Sequence, residues 1–83
     1  MSLTVVFRET ALRTLARIRG EDKETFTRTR RAIASLADQP YPEGTVAWGA
    51  TGVYRLRAGE VRILYEVDEQ AGTVYIINTG LIS

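Results

Sequence analysis

Residues 52–78 read GVYRLRAGEVRILYEVDEQAGTVYIIN. Three runs in this segment are rich in β-branched and aromatic residues: Val53–Arg57, Val61–Val67 and Thr73–Asn78. Turn-forming residues at 58–60 and 68–72 separate them. The pattern predicts three consecutive antiparallel strands, and this meander is expected to form the centre of the fold.

One face of the predicted meander is basic. Successive side chains of a strand point to opposite faces, so Arg55 and Arg57 share one face of the first strand. On the second strand, Arg62 lies on the same face as Leu64 and Glu66. Pairing of the strands would gather the three arginines into one cationic patch. We therefore take Arg55, Arg57 and Arg62 as the predicted site.

The residues before the meander predict a strand and a helical hairpin. The apolar run Leu3–Phe7 is expected to form a strand buried on both faces or placed inside the sheet. Helical periodicity follows from Glu9 to a stop at Gly20, and Asp22 is expected to cap a second helix that ends near Ala37. This order predicts an α+β fold, β-α-α-β-β-β, with the helical hairpin on one face of a curved, mainly antiparallel sheet and the other face partly open.

Apolar stripes identify the expected core. The first helix should bury Ala11, Leu12, Leu15, Ala16 and Ile18, the second Phe26, Ile33, Leu36 and Ala37, and the sheet Tyr54, Leu56, Ile63 and Tyr65. The connector Asp38–Gly52 contains Trp48, the one tryptophan, and could form a short extended edge piece. Stacking on a base is one role for Trp48. Capping one end of the small core is the role we expect, because large aromatic residues dominate small cores.

Composition narrows the function. The 83 residues predict one domain, 1–83, and the net charge of +1 makes only local clustering of cations informative. The chain has no cysteine or histidine, which excludes disulfides, thiolate metal sites and the usual near-neutral proton carrier. No nucleotide-binding, metalloprotease or hydrolase motif occurs, so we expect no cofactor and no metal. Without a signal segment or membrane-length apolar run, we expect a cytoplasmic protein with no membrane contact.

Arginine chemistry favours a phosphate ligand. Arg55, Arg57 and Arg62 could stabilise the pentacovalent transition state of a scissile phosphate, with a proton passing through Glu60, Glu66, a tyrosine or the RNA itself. The alternative is that these arginines form exposed cross-strand pairs with glutamate, which have little energetic value. The second helix adds a basic cluster of Arg28, Arg30 and Arg31, in which Arg30 and Arg31 are candidate RNA-binding residues and a solvated helix face is the alternative.

Residues 52–68 also resemble the signature of the RelE/ParE superfamily, the toxins of bacterial type II toxin-antitoxin systems. The similarity extends to the opening strand and helical hairpin, the Leu36–Pro40 helix exit and the final strand. In the RelE branch, the resemblance implies a sheet that cradles messenger RNA in the ribosomal A site. Basic residues there assist attack of a ribose 2′-hydroxyl on the adjacent phosphate. Arg62 matches the motif arginine, and Arg55 and Arg57 match basic residues of the preceding strand.

Two segments depart from that pattern. RelE-type toxins usually follow the last strand with a Gly-His-Arg-like segment and a tyrosine, where this chain has Thr79-Gly80-Leu81-Ile82-Ser83. The connector has Thr45-Val46-Ala47-Trp48-Gly49 where the family commonly carries lysine or arginine. We therefore expect a ribosome-dependent mRNA endoribonuclease with a reduced catalytic set. A ParE-like inhibitor of DNA gyrase, which is not an enzyme, and a toxin fold that has lost activity are the alternatives. The resemblance implies a cognate antitoxin as partner, and a homodimer is possible.

Overall fold

The computed structural model describes residues 2–81 and shows a five-stranded sheet with strands β1 (Thr4–Phe7), β2 (Val46–Ala47), β3 (Val53–Ala58), β4 (Val61–Asp68) and β5 (Thr73–Leu81). Their order across the sheet is β1-β5-β4-β3-β2. Strands β3, β4 and β5 are antiparallel neighbours, which confirms the predicted meander, and β1 runs parallel to β5. The final strand continues three residues beyond its predicted end at Asn78.

Strand β1 lies at an edge of the sheet, so the expectation of a strand inside the sheet or buried on both faces was wrong. It pairs with β5 alone. Its side chains alternate, with Val5 and Phe7 partly buried against the core and Val6 37% exposed on the other face. The apolar run reflects a half-covered edge strand, because β-branched residues favour a pleated surface whether or not both faces are covered.

The two helices are α1 (Glu9–Glu21) and α2 (Lys23–Ser35). Asp22 caps α2 as predicted: its carboxylate accepts hydrogen bonds from the backbone N–H of Glu24 at 3.1 Å and of Thr25 at 3.2 Å, and from the Thr25 hydroxyl at 2.7 Å. These bonds, led by the Thr25 hydroxyl, lower the pKa of Asp22. Helix α1 continues through Gly20, and α2 ends at Ser35, two residues before the predicted boundary.

The core lies between the hairpin and the sheet. Its buried residues are Ala11, Leu15, Ile18, Ile33, Leu36, Leu56, Val61, Ile63, Tyr65, Val67, Val74 and Ile76. Leu12 is 53% exposed and Ala16 is also exposed, so the predicted α1 stripe was too wide. On α2 the core is partly polar: Thr25 and Thr29 are buried, and the Thr29 hydroxyl donates to the Thr25 carbonyl at 2.8 Å. That bond removes the cost of an unpaired buried hydroxyl.

The connector between α2 and β3 is held by tyrosines. The Tyr65 hydroxyl donates to the Pro40 carbonyl at 2.7 Å, and the Tyr41 and Tyr54 rings meet edge to face at 5.2 Å. Burial raises the pKa of Tyr65 and also that of Tyr41. The predicted edge piece exists as β2, which pairs with β3.

Trp48 follows β2 and is 47% exposed, so its expected role as a cap on the core was wrong. Tyr54 and Tyr65 pack against the core instead, with ring centroids 5.9 Å apart. Among residues 2–81, neither helix has the length and apolar character needed to cross a membrane.

Candidate functional site

The sheet face opposite the helices carries the predicted arginines. Cross-strand register sets its side chains in rows that run from β3 across β4 to β5. The first row is Arg57, Arg62 and Gly80; the second is Arg55, Leu64 and Asn78; the third is Val53, Glu66 and Tyr75. We call this surface the open face.

Arg57 and Arg62 lie directly opposite each other on β3 and β4. Like charges in that position destabilise a sheet, because their Cβ atoms are only about 5 Å apart. The Arg57 Nε donates to the Gly59 carbonyl at 3.0 Å, which draws its guanidinium toward the β3–β4 turn. Both arginines are exposed, so water screens their repulsion. An anion bound between them would remove it.

Arg55 is held by an aromatic ring. Its guanidinium carbon lies 4.0 Å from the ring centroid of Trp48, in the geometry of a cation–π contact. The backbone N–H of Trp48 donates to the Val53 carbonyl at 2.9 Å, which extends the pairing of β2 with β3 and holds the Trp48 backbone beside β3. Arg55 is therefore oriented before any ligand arrives.

A shallow depression of about 280 Å³ lies between these groups, and we call it the arginine depression. Its lining consists of Trp48, Arg55, Arg62, Leu64, Asn78, Thr79, Gly80 and Leu81. This lining contains no carboxylate, lysine or histidine side chain. The carboxylate of Glu66 lies on the same face, but four residues along β4 from Arg62, which corresponds to about 13 Å. The depression can therefore bind and polarise an anion, but it has no proton acceptor of its own among residues 2–81.

A second surface lies on the helical side of the molecule. Residues of α1, α2 and β1 line an apolar groove of about 420 Å³, which we call the hairpin groove: Phe7, Leu12, Leu15, Ala16, Arg19, Phe26, Arg30 and Ile33. Arg19 also lies over the Phe26 ring at 5.7 Å. The groove is therefore an apolar strip bordered by the cations of Arg19 and Arg30.

Comparison with known proteins decides the family. The family model described as "ParE toxin of type II toxin-antitoxin system, parDE" matches residues 5–80, which is nearly the whole chain. The chain belongs to this toxin family. The match confirms the resemblance seen in the sequence, and it establishes a type II toxin of the RelE/ParE group. No curated protein matches the sequence.

Solved structures agree on the fold. The toxin-antitoxin complex RelBE2 from Mycobacterium tuberculosis contains a chain with 24% identity and a TM-score of 0.81, covering 98% of this chain and 92% of its own. A chain of the RelE–RelB complex from Pyrococcus horikoshii OT3 has 21% identity and a TM-score of 0.83, and the match covers 98% of this chain and 96% of that chain. The YoeB/ParE toxin from Agrobacterium tumefaciens has 14% identity and a TM-score of 0.79, and the match covers 98% of this chain and 100% of that chain. These similarities confirm the predicted RelE/ParE-like α+β fold.

Within this toxin, the five predicted site residues separate into two groups. Arg55 and Arg62 line the arginine depression, and Arg57 lies beside it. Arg30 and Arg31 lie on α2, on the helical side of the sheet, where Arg30 borders the hairpin groove and Arg31 lies near Lys23 and Arg28. The structure does not bring the two groups together, so one short RNA segment in the depression would not reach Arg30 or Arg31.

Six lining residues of the arginine depression were not among the predicted site residues: Trp48, Leu64, Asn78, Thr79, Gly80 and Leu81. Leu64 was placed on the basic face but given no role, and Trp48 was assigned to the core. Asn78 faces the depression because a β-bulge intervenes: Leu64 pairs with Asn78, but Tyr65 pairs with Ile76, which leaves Ile77 without an opposite residue. Simple alternation from Tyr75 would have placed Asn78 on the helical face.

Proposed function

We propose that this chain is a ribosome-dependent mRNA endoribonuclease, the toxin of a type II toxin-antitoxin module that inhibits translation. The observation that supports it best is the arginine depression. There, Arg55 and Arg62 converge with an exposed indole on a sheet face that the helices leave uncovered. Guanidinium groups bind phosphate oxygens through paired hydrogen bonds, and an exposed aromatic ring adds a surface on which a base can stack.

The proposed reaction begins with attack of a ribose 2′-oxygen on the adjacent phosphorus. The P–O2′ bond forms and the P–O5′ bond breaks, which leaves a 2′,3′-cyclic phosphate and a free 5′-hydroxyl. Negative charge grows on the phosphate oxygens in the transition state. Arg55, which Trp48 orients in advance, and Arg62, which lines the same depression, stabilise that charge, and Arg57 contributes from the neighbouring position.

Proton transfer explains why the ribosome is part of the proposal. The 2′-hydroxyl must lose a proton and the leaving 5′-oxygen must gain one. Arginine remains protonated and cannot accept a proton, and Glu66 lies about 13 Å along β4 from Arg62. Glu60, the other carboxylate considered for this role, is also absent from the lining of the arginine depression. A group on the RNA or the ribosome is therefore proposed as the proton acceptor, so the free toxin should cleave RNA poorly.

Transcript ends mapped after induction in cells test this proposal. Wild-type chain should produce new ends within translated regions, and Arg62→Ala should lower cleavage by about 10²- to 10³-fold. Arg13→Ala is the matched control, because Arg13 is an exposed α1 arginine paired with Glu9 on the helical side. Persistent cleavage by an equally expressed Arg62→Ala chain would remove Arg62 from the site.

Inhibition of DNA gyrase is the second candidate. It is favoured by the matched family, which is described as ParE, and by an arginine depression without a proton acceptor among its lining residues. A gyrase inhibitor needs binding but breaks no bond. Supercoiling and DNA-break assays on the same induced culture separate the two functions. Growth arrest with altered supercoiling and unchanged transcript ends would favour gyrase, and the absence of arrest would favour a toxin fold without activity.

A cognate antitoxin is the proposed partner. Two of the similar structures are described as complexes of a toxin with its antitoxin. In this chain, the hairpin groove offers apolar area beside the positive charges of Arg19 and Arg30. An amphipathic antitoxin segment with acidic residues at its margins would match both properties. Other carboxylates of the antitoxin would meet the arginines of the open face and cover the phosphate site.

A further inference from the structure

We propose that Arg28, on α2, is a positioning residue for Arg57. Arg28 packs on Gly59 in the turn between β3 and β4, and the carbonyl of this glycine accepts a hydrogen bond from the Arg57 Nε–H. The contact would keep the Arg57 guanidinium on the open face. Because Arg57 assists Arg55 and Arg62 in the proposed reaction, this role rests on the proposed endoribonuclease.

The turn between β3 and β4 is a two-residue hairpin turn. Ala58 pairs with Val61, so only Gly59 and Glu60 lie between the two strands. Gly59 has a φ of +61°, whereas Glu60 does not have a positive φ. A positive φ at the first of the two turn residues defines a type II′ turn, which favours glycine there. The peptide group between Gly59 and Glu60 carries the carbonyl to which Arg57 donates at 3.0 Å.

Arg28 reaches this turn from the helical side of the sheet. A Cβ atom on Gly59 would lie 3.1 Å from both Cδ and Nη1 of Arg28, and the third-nearest atom, at 3.9 Å, is Cζ of the same side chain. The absence of a Cβ atom therefore lets Arg28 lie against the turn. The Glu24 carboxylate is 3.7 Å from Arg28 Nη2, which is too far for a hydrogen bond. Contact with Gly59 thus adds to what this ion pair contributes to the placement of Arg28.

Arg28 and Arg57 meet the same glycine from opposite sides of the sheet. The Arg28 side chain covers one side of Gly59 and so restricts rotation of the peptide group that carries the carbonyl. Its positive charge also disfavours movement of the Arg57 guanidinium around the turn toward α2. Both effects favour the hydrogen-bonded position of Arg57. A cation held in place before the reaction stabilises charge in the transition state without having to be reorganised.

A double-mutant cycle tests the contact between Arg28 and Gly59. A Cβ atom at residue 59 has to displace Arg28 where that side chain is present, and the strain of a positive φ is common to both backgrounds. Gly59→Ala should therefore raise the equilibrium constant for unfolding at least about twofold more in the wild-type chain than in the Arg28→Ala chain. Chemical denaturation of the four chains measures this. Additive effects would show that Arg28 does not pack on the turn, and would overturn the proposal.

Hydrogen exchange of the Arg57 Nε–H, followed by NMR, tests the positioning itself. Arg28→Ala should speed this exchange about two- to tenfold, the range expected when one hydrogen bond is lost. Arg28→Lys keeps an aliphatic stem and the charge, so its rate should stay close to that of wild type. Arg31→Ala is the matched control, because it removes another exposed α2 arginine. Equal rates in wild type and Arg28→Ala, or equal acceleration by Arg31→Ala, would overturn the proposal.

Transcript cleavage in cells separates positioning from direct contact with RNA. Arg28→Ala should lower cleavage about two- to tenfold when Arg57 is present, because one hydrogen bond that holds Arg57 is weakened. In a chain that already carries Arg57→Ala, adding Arg28→Ala should lower cleavage no further. An equal loss with and without Arg57 would mean that Arg28 acts on the RNA itself, and the positioning role would be wrong.

The exchange measurement also distinguishes this inference from the proposed function, because it needs no RNA. Faster exchange of the Arg57 Nε–H in Arg28→Ala, together with no cleavage by the wild-type chain, would retain the positioning contact and reject the endoribonuclease. Cleavage by the wild-type chain, together with exchange that Arg28→Ala leaves unchanged, would retain the endoribonuclease and reject the role of Arg28.

Discussion

At the scale of single residues, the open face places two like charges opposite each other, an arrangement that a bound anion would stabilise. Arg57 and Arg62 lie opposite each other, and no carboxylate among residues 2–81 forms an ion pair with either. Such a pair weakens the sheet. A surface selected for stability alone would place a glutamate opposite one arginine, so the arrangement favours binding of an anion.

A double-mutant cycle measures that repulsion. The free energies of unfolding of Arg57→Gln, Arg62→Gln and the double variant should yield an unfavourable coupling of about 0.2–1 kcal/mol for the arginine pair at low salt. High salt should reduce it, because both guanidinium groups are exposed. A favourable coupling would show that the two side chains do not repel each other in solution.

The Tyr65 hydroxyl predicts a pH effect on stability. Burial raises its pKa above the ordinary value of 10.0, so the unfolded chain loses this proton at lower pH than the folded chain does. The stabilisation is complete below pH 10 and is lost as the pH rises through the higher folded pKa. Tyr65→Phe should reduce the loss of folding stability at alkaline pH. Part of that loss should remain, because the pKa of Tyr41 is also raised. An unchanged alkaline profile would contradict this assignment.

At the scale of elements, β4 places the core and the site on opposite faces of one strand. Ile63 is fully buried against the helices, and Leu64 next to it is half-buried on the open face. Ile63→Ala should reduce the free energy of unfolding by about 2–5 kcal/mol, measured by chemical denaturation. Leu64→Ala is the matched control and should cost clearly less. Similar losses for both would mean that the open face is covered in solution.

The start of α2 depends on one carboxylate. Hydrogen bonds from Thr25 and Glu24 lower the pKa of Asp22, so its contribution is present above the unfolded value of about 3.8 and is lost as the pH falls through the lower folded pKa. Asp22→Asn should keep the cap and remove this acid dependence, and Asp22→Ala should lose both. Thermal melts between neutral and acidic pH distinguish the three chains. Parallel acid profiles for wild type and Asp22→Asn would assign the effect to other carboxylates.

At the scale of the whole molecule, the arginine depression and the hairpin groove lie on opposite sides of the sheet. The proposed antitoxin therefore has to reach around an edge to cover both. Leu12 is 53% exposed in the hairpin groove, so Leu12→Glu should leave the melting temperature of the free toxin nearly unchanged while weakening the antitoxin complex at least tenfold. Calorimetric titration with the co-encoded antitoxin measures this. Arg13→Glu, on an exposed α1 residue paired with Glu9, is the control.

The sequence by itself determined the features that rest on local chemistry. Alternation in residues 53–67 fixed which side chains of β3 and β4 face the helices, and Asp22 fixed the start of α2, because both depend only on near neighbours in the chain. Arg55, Arg57 and Arg62 were placed on one face for the same reason. The resemblance across residues 52–68 indicated the family, and the family match over residues 5–80 confirmed it.

Only the tertiary structure decided the positions that depend on distant partners. Strand β1 lies at the edge of the sheet because β5 is the one strand with which it pairs. The hydrophobicity of the strand's own residues does not show how many neighbours it has. Trp48 lies outside the core, where Tyr54 and Tyr65 from two separate strands pack against each other instead. Asn78 faces the depression because Ile77 forms a bulge, and one extra residue reverses the face of every residue that follows.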